Sequence, residues 1–278
     1  NVGIMSPGDM GQAVALQLKN KGFHVCTALD KRSERSKALA HEAGLTDLGS
    51  IARLTKECEV ILSIMNPAAA LDFAGEAAQA LSPHGHRPLI VDCNAVSPDN
   101  MRRISEVIRA AGGRCADGGI IGPPPRGAAK TNLYVSGPEA RALEQLATPQ
   151  IEVRVLSDRI GDASALKMCF SAMNKGVTAM MLELLVVARR LGVDAVLETQ
   201  LRETRSEVYD WMIGYLSTVP PKAFRFVPEM LQIAQTFEAA GMTPRIFHGV
   251  ADMYEFVAGT ALGLETPENR DKSRSGKD

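Results

Sequence analysis

The chain has 278 residues, 45% of them apolar, with 31 Lys+Arg against 32 Asp+Glu. At ~150 residues per domain that is one large domain or two modest ones, and the apolar content excludes wholesale disorder. The charge balance excludes a dedicated nucleic-acid binder, which needs a basic face, since residues 1–160 carry 18 basic and 17 acidic side chains and the rest 13 and 15.

The first part of the chain alternates short apolar runs with amphipathic ones. Val2–Met5 is a predicted strand, and Met10, Ala13, Val14, Gln17 and Leu18 then fall on one helix face. Residues 24–29 form a second strand, after which Ser33 caps a helix that ends at Gly44. Residues 59–65 are almost continuously apolar, as in a strand buried on both faces of a parallel sheet. Pro67 breaks that strand, and an Ala-rich helix follows to about Leu81. Leu89–Asp92 is a strand, Ser97-Pro98 reads as N-cap plus N1 proline of the next helix, and 115–120 is another strand. This alternation predicts an α/β, Rossmann-type doubly wound sheet. Gly122-Pro123-Pro124-Pro125 cannot continue a strand, because three successive residues lack N–H groups. Thr131–Ser136 and 152–156 look like closing strands around a short helix at 139–146.

From Asp162 onward every pattern is helical. Asp162–Leu191 makes one helix of roughly 45 Å at 1.5 Å per residue, ended by Gly192. Helices at 195–216, 229–240 and 245–261 follow, separated by Pro220-Pro221, Pro228, Gly241 and Pro244, and 266–278 reads as a polar, frayed tail. The expected division is a dinucleotide-binding domain at 1–160 and an all-helical dimerisation and substrate domain at 161–278. The long helix has more apolar face than such a small module can cover, so a second copy of the chain is the expected partner.

Cys26, Cys58, Cys93, Cys115 and Cys169 are odd in number and form no CxxC pair, which argues against a disulfide scaffold or a metal site. They suit a reducing compartment, so a cytoplasmic location is expected. The most apolar run, 179–188, contains Glu183 and is too short to span a bilayer, and the chain opens directly on a strand, so neither membrane insertion nor a targeting segment is expected.

Ser6-Pro7-Gly8-Asp9-Met10-Gly11, directly after the first strand, is the GxGxxG dinucleotide fingerprint with Ser6 in place of its first glycine. Gly8 lets the backbone approach a diphosphate, Gly11 lets the helix pack on the strand, and the helix N-terminus offers free N–H groups. The second strand ends in Asp30-Lys31-Arg32-Ser33. Asp30, about 20 residues beyond the fingerprint, suits the ribose 2′-hydroxyl of NAD. Lys31, Arg32 and Ser33 suit the 2′-phosphate of NADP. NADP is the expected cofactor, with NAD left open by Asp30. Met65, Asn66 and Asn94, at the carboxyl ends of later strands, are expected near the nicotinamide.

Lys167, Ser171, Asn174 and Lys175 share one helix face in apolar surroundings. A lysine in a dry cleft has its pKa lowered by desolvation and can exchange protons near neutral pH, which makes Lys167 the candidate catalytic residue. Cys93 lacks a paired base and is not expected to act covalently. Tyr209, Trp211 and Tyr215 are expected in the core.

Taken together, these segments resemble the β-hydroxyacid dehydrogenase family, the relatives of 6-phosphogluconate and 3-hydroxyisobutyrate dehydrogenases. Ser6 to Gly11 is similar to its G-x-G-x-M-G turn, Met65-Asn66-Pro67 to its x-x-P, and Asp92-Cys93-Asn94-Ala95-Val96-Ser97-Pro98 to its D-x-S-T-x-x-P. Gly161, Ala163, Lys167 and Ser171 follow its G-x-G-x-x-x-K-x-x-x-N segment. The resemblance implies an NAD(P)-dependent oxidoreductase with Lys167 as general acid/base, and a dimer with each active site between nucleotide and helical domains. The substrate loops depart from the family: Cys93-Asn94-Ala95 replaces its S-T loop, Gly122-Pro123-Pro124 its S-G-G loop, and Ser171 its Asn. The expected substrate is therefore a bulkier, less acidic alcohol or ketone, met by Asn94, Gly122, Ser171 and Lys175, with Arg126, Lys130 and Arg225 as unranked anion contacts. Two other readings stay open, an imine or enamine reductase on the same scaffold and a non-catalytic nucleotide-binding regulator.

Overall fold

The computed structural model describes residues 1–81, 85–266 and 269–276. The chain divides into two compact units, Asn1–Met168 and Cys169–Asp278. The division falls inside the long helix, whose first turns belong with the first unit, whereas the sequence reading placed it ahead of that helix.

The first unit is an eight-stranded sheet in the order β3-β2-β1-β4-β5-β6-β7-β8. Its strands are β1 (Val2–Met5), β2 (Val25–Thr27), β3 (Thr46–Asp47), β4 (Val60–Ser63), β5 (Leu89–Asp92), β6 (Arg114–Ile121), β7 (Thr131–Ser136) and β8 (Ile151–Ser157). The helices are α1 (Asp9–Asn20), α2 (Glu34–Glu42), α3 (Ile51–Glu57), α4 (Ala70–Leu81) and α5 (Pro98–Ala110). All pairings are parallel except β6 with β7. The sheet is thus a mostly parallel, doubly wound Rossmann fold, with β7 reversed after the proline-filled loop.

Alternation along the central strands feeds two cores. Val2, Ile4, Val60, Leu62, Leu89 and Val91 pack on one face with Val14, Ala15 and Leu18 of α1. Met5, Ile61 and Ile90 point to the other, against Leu54, Phe73, Ala77, Met101 and Ile104 of α3, α4 and α5. Strands buried on both faces this way read as continuous apolar runs. The expected caps form: Ser33 Oγ accepts from Ser36 N at 3.2 Å and Ser97 Oγ from Asn100 N at 3.3 Å.

The second unit is helical. The long helix α6 (Asp162–Leu191) runs into it, followed by α7 (Asp194–Leu216), α8 (Ala223–Ala239) and α9 (Arg245–Ala258). Two expectations change here. Pro228 does not separate helices but lies inside α8, where the one backbone bond it forfeits falls to the exposed Phe224. Trp211 is 47% exposed while Tyr209 is buried, so the aromatic residues of α7 do not all enter the core. Of the predicted tail, residues 267, 268, 277 and 278 lie outside the described residues.

Within the second unit, Lys175 and Glu229 form a buried ion pair at 2.5 Å. The Lys175 ammonium also lies 4.7 Å from the Phe226 ring centre, and Tyr254 donates to the Lys175 carbonyl at 2.7 Å. Outside this core, Phe170, Met173, Val177, Met180, Leu184, Val187 and Leu191 of α6 are all exposed.

Candidate active site

Strand order reverses at β1, which pairs with β2 on one side and β4 on the other. In open α/β sheets a ligand binds in the crevice outside the carboxyl ends of the strands at such a switch point. Two groups of candidate cofactor residues meet there: Ser6 donates its backbone N–H to the Ile64 carbonyl at 3.3 Å, which ties the turn after β1 to the segment leading into Met65 and Asn66.

The turn fits a dinucleotide diphosphate. Gly8 is the N-cap of α1 in extended conformation, and no side chain caps the helix, so its first-turn N–H groups are left to a ligand. A Cβ built on Gly8 meets nothing within 4 Å, so open space faces the backbone there. A Cβ on Gly11 would lie 2.6 Å from the Ser6 carbonyl oxygen, so only glycine lets α1 start this close to β1. Asp9 and Met10 open the helix, with Asp9 half-buried.

At the end of β2, Arg32 N donates to the Leu29 carbonyl at 3.0 Å, and Lys31 takes a left-handed backbone with φ 60°. This tight turn leaves Asp30, Lys31 and Ser33 exposed. Arg32 Nε is buried with no hydrogen-bond partner, an unmet donor that suits an anionic ligand. Ser33 also serves as the α2 cap.

Asn94 requires a correction. It is expected as a free ligand for nicotinamide and substrate, but it is 3% exposed and its amide is engaged. Its Nδ2 donates to Ser63 Oγ at 2.8 Å and Asp92 Oδ2 at 2.7 Å, and its Oδ1 accepts from Met65 N at 2.6 Å. Asn94 is a brace that holds the loops after β4 and β5. Asn66 Oδ1 caps the turn at Pro67–Ala69 by accepting from Ala68 N at 3.0 Å. Cys93 is buried, and burial pushes its thiol well up, which agrees with an inert side chain.

Two buried carboxylates face each other in register on β5 and β6: Asp92, which opens the D-x-S-T-x-x-P-like segment, and Asp117, which the sequence does not single out. Burial pushes Asp92 up to about 7, against the N–H groups of Asn94, and the neighbouring Asp117 adds to the rise. Burial also raises Asp117, opposed by its four hydrogen bonds. Those bonds cap α6 from the sheet. Asp117 Oδ2 accepts from Gly161 N at 2.9 Å, Ser164 N at 3.0 Å and Ser136 Oγ at 3.0 Å, and Oδ1 accepts from Ser164 Oγ at 2.7 Å. A lone acid in an otherwise apolar strand was the signal for it.

Lys167, one turn on from Ser164, is the residue this cap positions. Its Nζ donates to the Ile120 carbonyl at 2.5 Å, near the end of β6. Gly119 makes the approach possible, since a Cβ there would lie 2.9 Å from the Ala163 oxygen and 3.4 Å from Lys167 Cβ. Ser171, i+4 from Lys167 in α6, is 3% exposed. Gly122 turns the chain after β6 with φ 139°, and Pro123 beside it is exposed. Lys175 is held by Glu229 in the helical unit, so its ammonium is committed to an internal partner rather than left for a substrate. Lys130 and Arg225 are exposed, whereas Arg126 reaches the glycine turn.

Switch point, glycine turn and lysine at the strand ends define a nicotinamide-dinucleotide oxidoreductase scaffold. The family model for the NAD binding domain of 6-phosphogluconate dehydrogenase matches residues 1–148, and a domain of unknown function, DUF1932, matches 188–257. The chain is 29% identical to an uncharacterized 28.5 kDa protein of Methanothermus fervidus over 75% of this chain and 78% of that one. It is 23% identical to glyoxylate/succinic semialdehyde reductase 1 of Arabidopsis thaliana, over 70% and 68% of the two chains. Its fold is similar to 3-hydroxyisobutyrate dehydrogenase of Mycobacterium tuberculosis, with TM-score 0.71, 18% identity and 95% of each chain covered. A reductive aminase from Aspergillus terreus, solved with NADPH and ethyl-5-oxohexanoate, gives TM-score 0.59 at 18% identity, again over 95% of each chain. The chain belongs to the β-hydroxyacid dehydrogenase family, NAD(P)-dependent oxidoreductases that act on CH–OH groups.

Proposed function

We propose that the chain is an NADP(H)-dependent enzyme that interconverts an alcohol, hydroxy-acid-like or bulkier, and its carbonyl, with Lys167 as the general acid/base. The observation that carries this reading is the placement of Lys167. Asp117 caps its helix, Ile120 holds its ammonium, and both belong to β6 of the same sheet whose β1 carries the dinucleotide turn. When bound, the nicotinamide supplies or accepts the hydride. Ser6, Gly8, Asp9, Met10 and Gly11 form the diphosphate turn, Met65 and Asn66 line the neighbouring strand end, and Lys31, Arg32 and Ser33 take the 2′-phosphate. The unmet Arg32 Nε favours NADP over the NAD reading that rests on Asp30. Lys167 takes the hydroxyl proton in oxidation and returns it in reduction, with Gly122 of the same unit bordering the substrate.

Replacing Lys167 by Ala should slow the chemical step by ~10²–10⁴, the usual worth of a positioned acid–base group, and leave NADPH affinity unchanged. Undiminished turnover in that variant overturns the assignment. The reductive-aminase likeness keeps a second reading, reduction of an imine. Assaying ketones with and without an amine, beside hydroxy acids, separates the two, and a chain that binds NADPH but turns over none of them is the regulator instead.

The working unit in this reading is a homodimer built on the exposed face of α6, in the cytoplasm. By length and composition α6 could cross a bilayer. Its first two turns are nevertheless bonded to Asp117 and Ile120, and Lys175 in its middle is paired with Glu229. Membrane insertion would break each of these contacts, so a soluble partner of like composition fits better.

A further inference from the structure

The loop after β6 does more than turn the chain. It carries Arg126 back to the first residues of α1, where the guanidinium makes three bonds. One Nη donates to Asp9 Oδ1 at 2.7 Å, and the other donates to the Asp9 carbonyl at 3.0 Å and to Gln12 Oε1 at 2.6 Å. Gln17 Nε2 anchors the same loop by donating to the Pro125 carbonyl at 2.9 Å. Asp9 is the residue directly after Gly8 and the first of α1, so its carboxylate lies beside the helix N-terminus on which a diphosphate would dock. An uncompensated acid there would repel that ligand, even though it suits the helix dipole in the free protein. The side chain of Arg126 is 46% exposed and that of Asp9 26%, so the pair lies at the mouth of the turn rather than beneath it.

We infer that Arg126 is a cofactor-positioning residue: it cancels the charge of Asp9 and holds the proline loop against the dinucleotide turn, so that a diphosphate can bind on α1. The inference rests on the oxidoreductase reading above and assigns to that site a residue outside the GxGxxG fingerprint. It also explains why an acid is tolerated inside a phosphate-binding turn.

The test is a fluorescence titration of the full chain with NADPH at low salt, repeated with ADP-ribose, which keeps the diphosphate and lacks the nicotinamide. Arg126→Gln should raise both dissociation constants roughly 5- to 10-fold, the scale of one unscreened charge beside a phosphate. Arg126→Lys should retain most of the affinity, and Asp9→Asn added to Arg126→Gln should restore it, with the loss in the single variant shrinking as salt is raised. A purely structural loop contact would give neither the charge rescue nor the salt dependence. Unchanged affinity in Arg126→Gln overturns the inference while leaving the oxidoreductase reading intact. Weakened binding that Asp9→Asn does not rescue overturns the charge-cancelling role. A wild-type chain that binds neither NADPH nor NADH overturns the oxidoreductase reading, and the inference with it.

Discussion

The two units of the chain bury polar groups in opposite ways. In the sheet unit the buried acids Asp92 and Asp117 are bonded mostly to backbone N–H groups and short hydroxyls, so each one fixes a loop or a helix end. In the helical unit the buried charge of Lys175 is met by a single carboxylate, Glu229, and a row of large apolar side chains is left outside. The first arrangement completes its own hydrogen bonding within one chain and gives Lys167 a defined position. The second is satisfied inside but unfinished on its surface. Defined hydrogen-bond geometry thus belongs to the sheet unit, and an exposed apolar face belongs to the helical one.

The largest effect expected from breaking the sheet unit's side of this comparison comes from Asp117→Ala. It strands two backbone N–H groups in the interior, each at about 1–3 kcal/mol, while the two hydroxyls can rotate to other partners, so a loss of roughly 2–6 kcal/mol is expected in chemical denaturation. Activity should fall with it, because the cap that orients Lys167 is gone. A fully stable Asp117→Ala protein would show that α6 is held by something else. In the helical unit, Lys175→Met takes from the buried Glu229 its lysine partner and should cost about 3–5 kcal/mol, whereas Lys175→Met with Glu229→Leu should recover most of it. If the double variant is as unstable as the single, the pair works through more than charge.

The difference between the units also governs what was legible beforehand. The doubly wound fold was readable because nearly every element announces itself locally, through a period, a Ser cap or a Pro break. β3 and α3 were missed: two exposed strand residues and a seven-residue helix are too short to show a period. The glycine turn and Lys167 were readable as motifs, but Asn94 was misjudged, because a motif position does not reveal that neighbouring loops consume its amide. Arg126 could not be ranked above Lys130 or Arg225, since its partner lies 117 residues away and only the folding of the loop after β6 back onto α1 brings them together. In the helical unit, the periodicity showed an apolar face without telling core from exterior, which is why Trp211 was placed inside.

Asp92 yields a pH dependence specific to the sheet unit. Its folded pKa is raised from 3.8 to about 7, so the native state holds the proton more tightly than the unfolded chain. That contribution to stability is therefore fully present below about pH 4 and is lost as pH rises through about 7, at up to ~1.4 kcal/mol per pH unit in between. Denaturant midpoints of wild type against Asp92→Asn should diverge in slope across that window, the variant being flatter. Parallel slopes would show that Asp92 is already ionised in the folded protein.

The smallest expected effect on the stability of a single chain comes from the apolar face of α6, and it sharpens the comparison most. Met173, Val177, Met180, Leu184, Val187 and Leu191 recur at alternating spacings of four and three residues, the period of a helix seam that packs against another helix. All are exposed, so Leu184→Glu removes little that one chain buries and should change the monomer's unfolding free energy by no more than about 0.5 kcal/mol. In a two-fold interface the same change appears twice, placing two carboxylates in an apolar contact. Sedimentation should therefore show a dimer for wild type and a monomer for Leu184→Glu, with thermal stability becoming dependent on protein concentration only in the wild type. A wild-type chain that sediments as a monomer would remove the second copy from this face and leave α6 needing another partner.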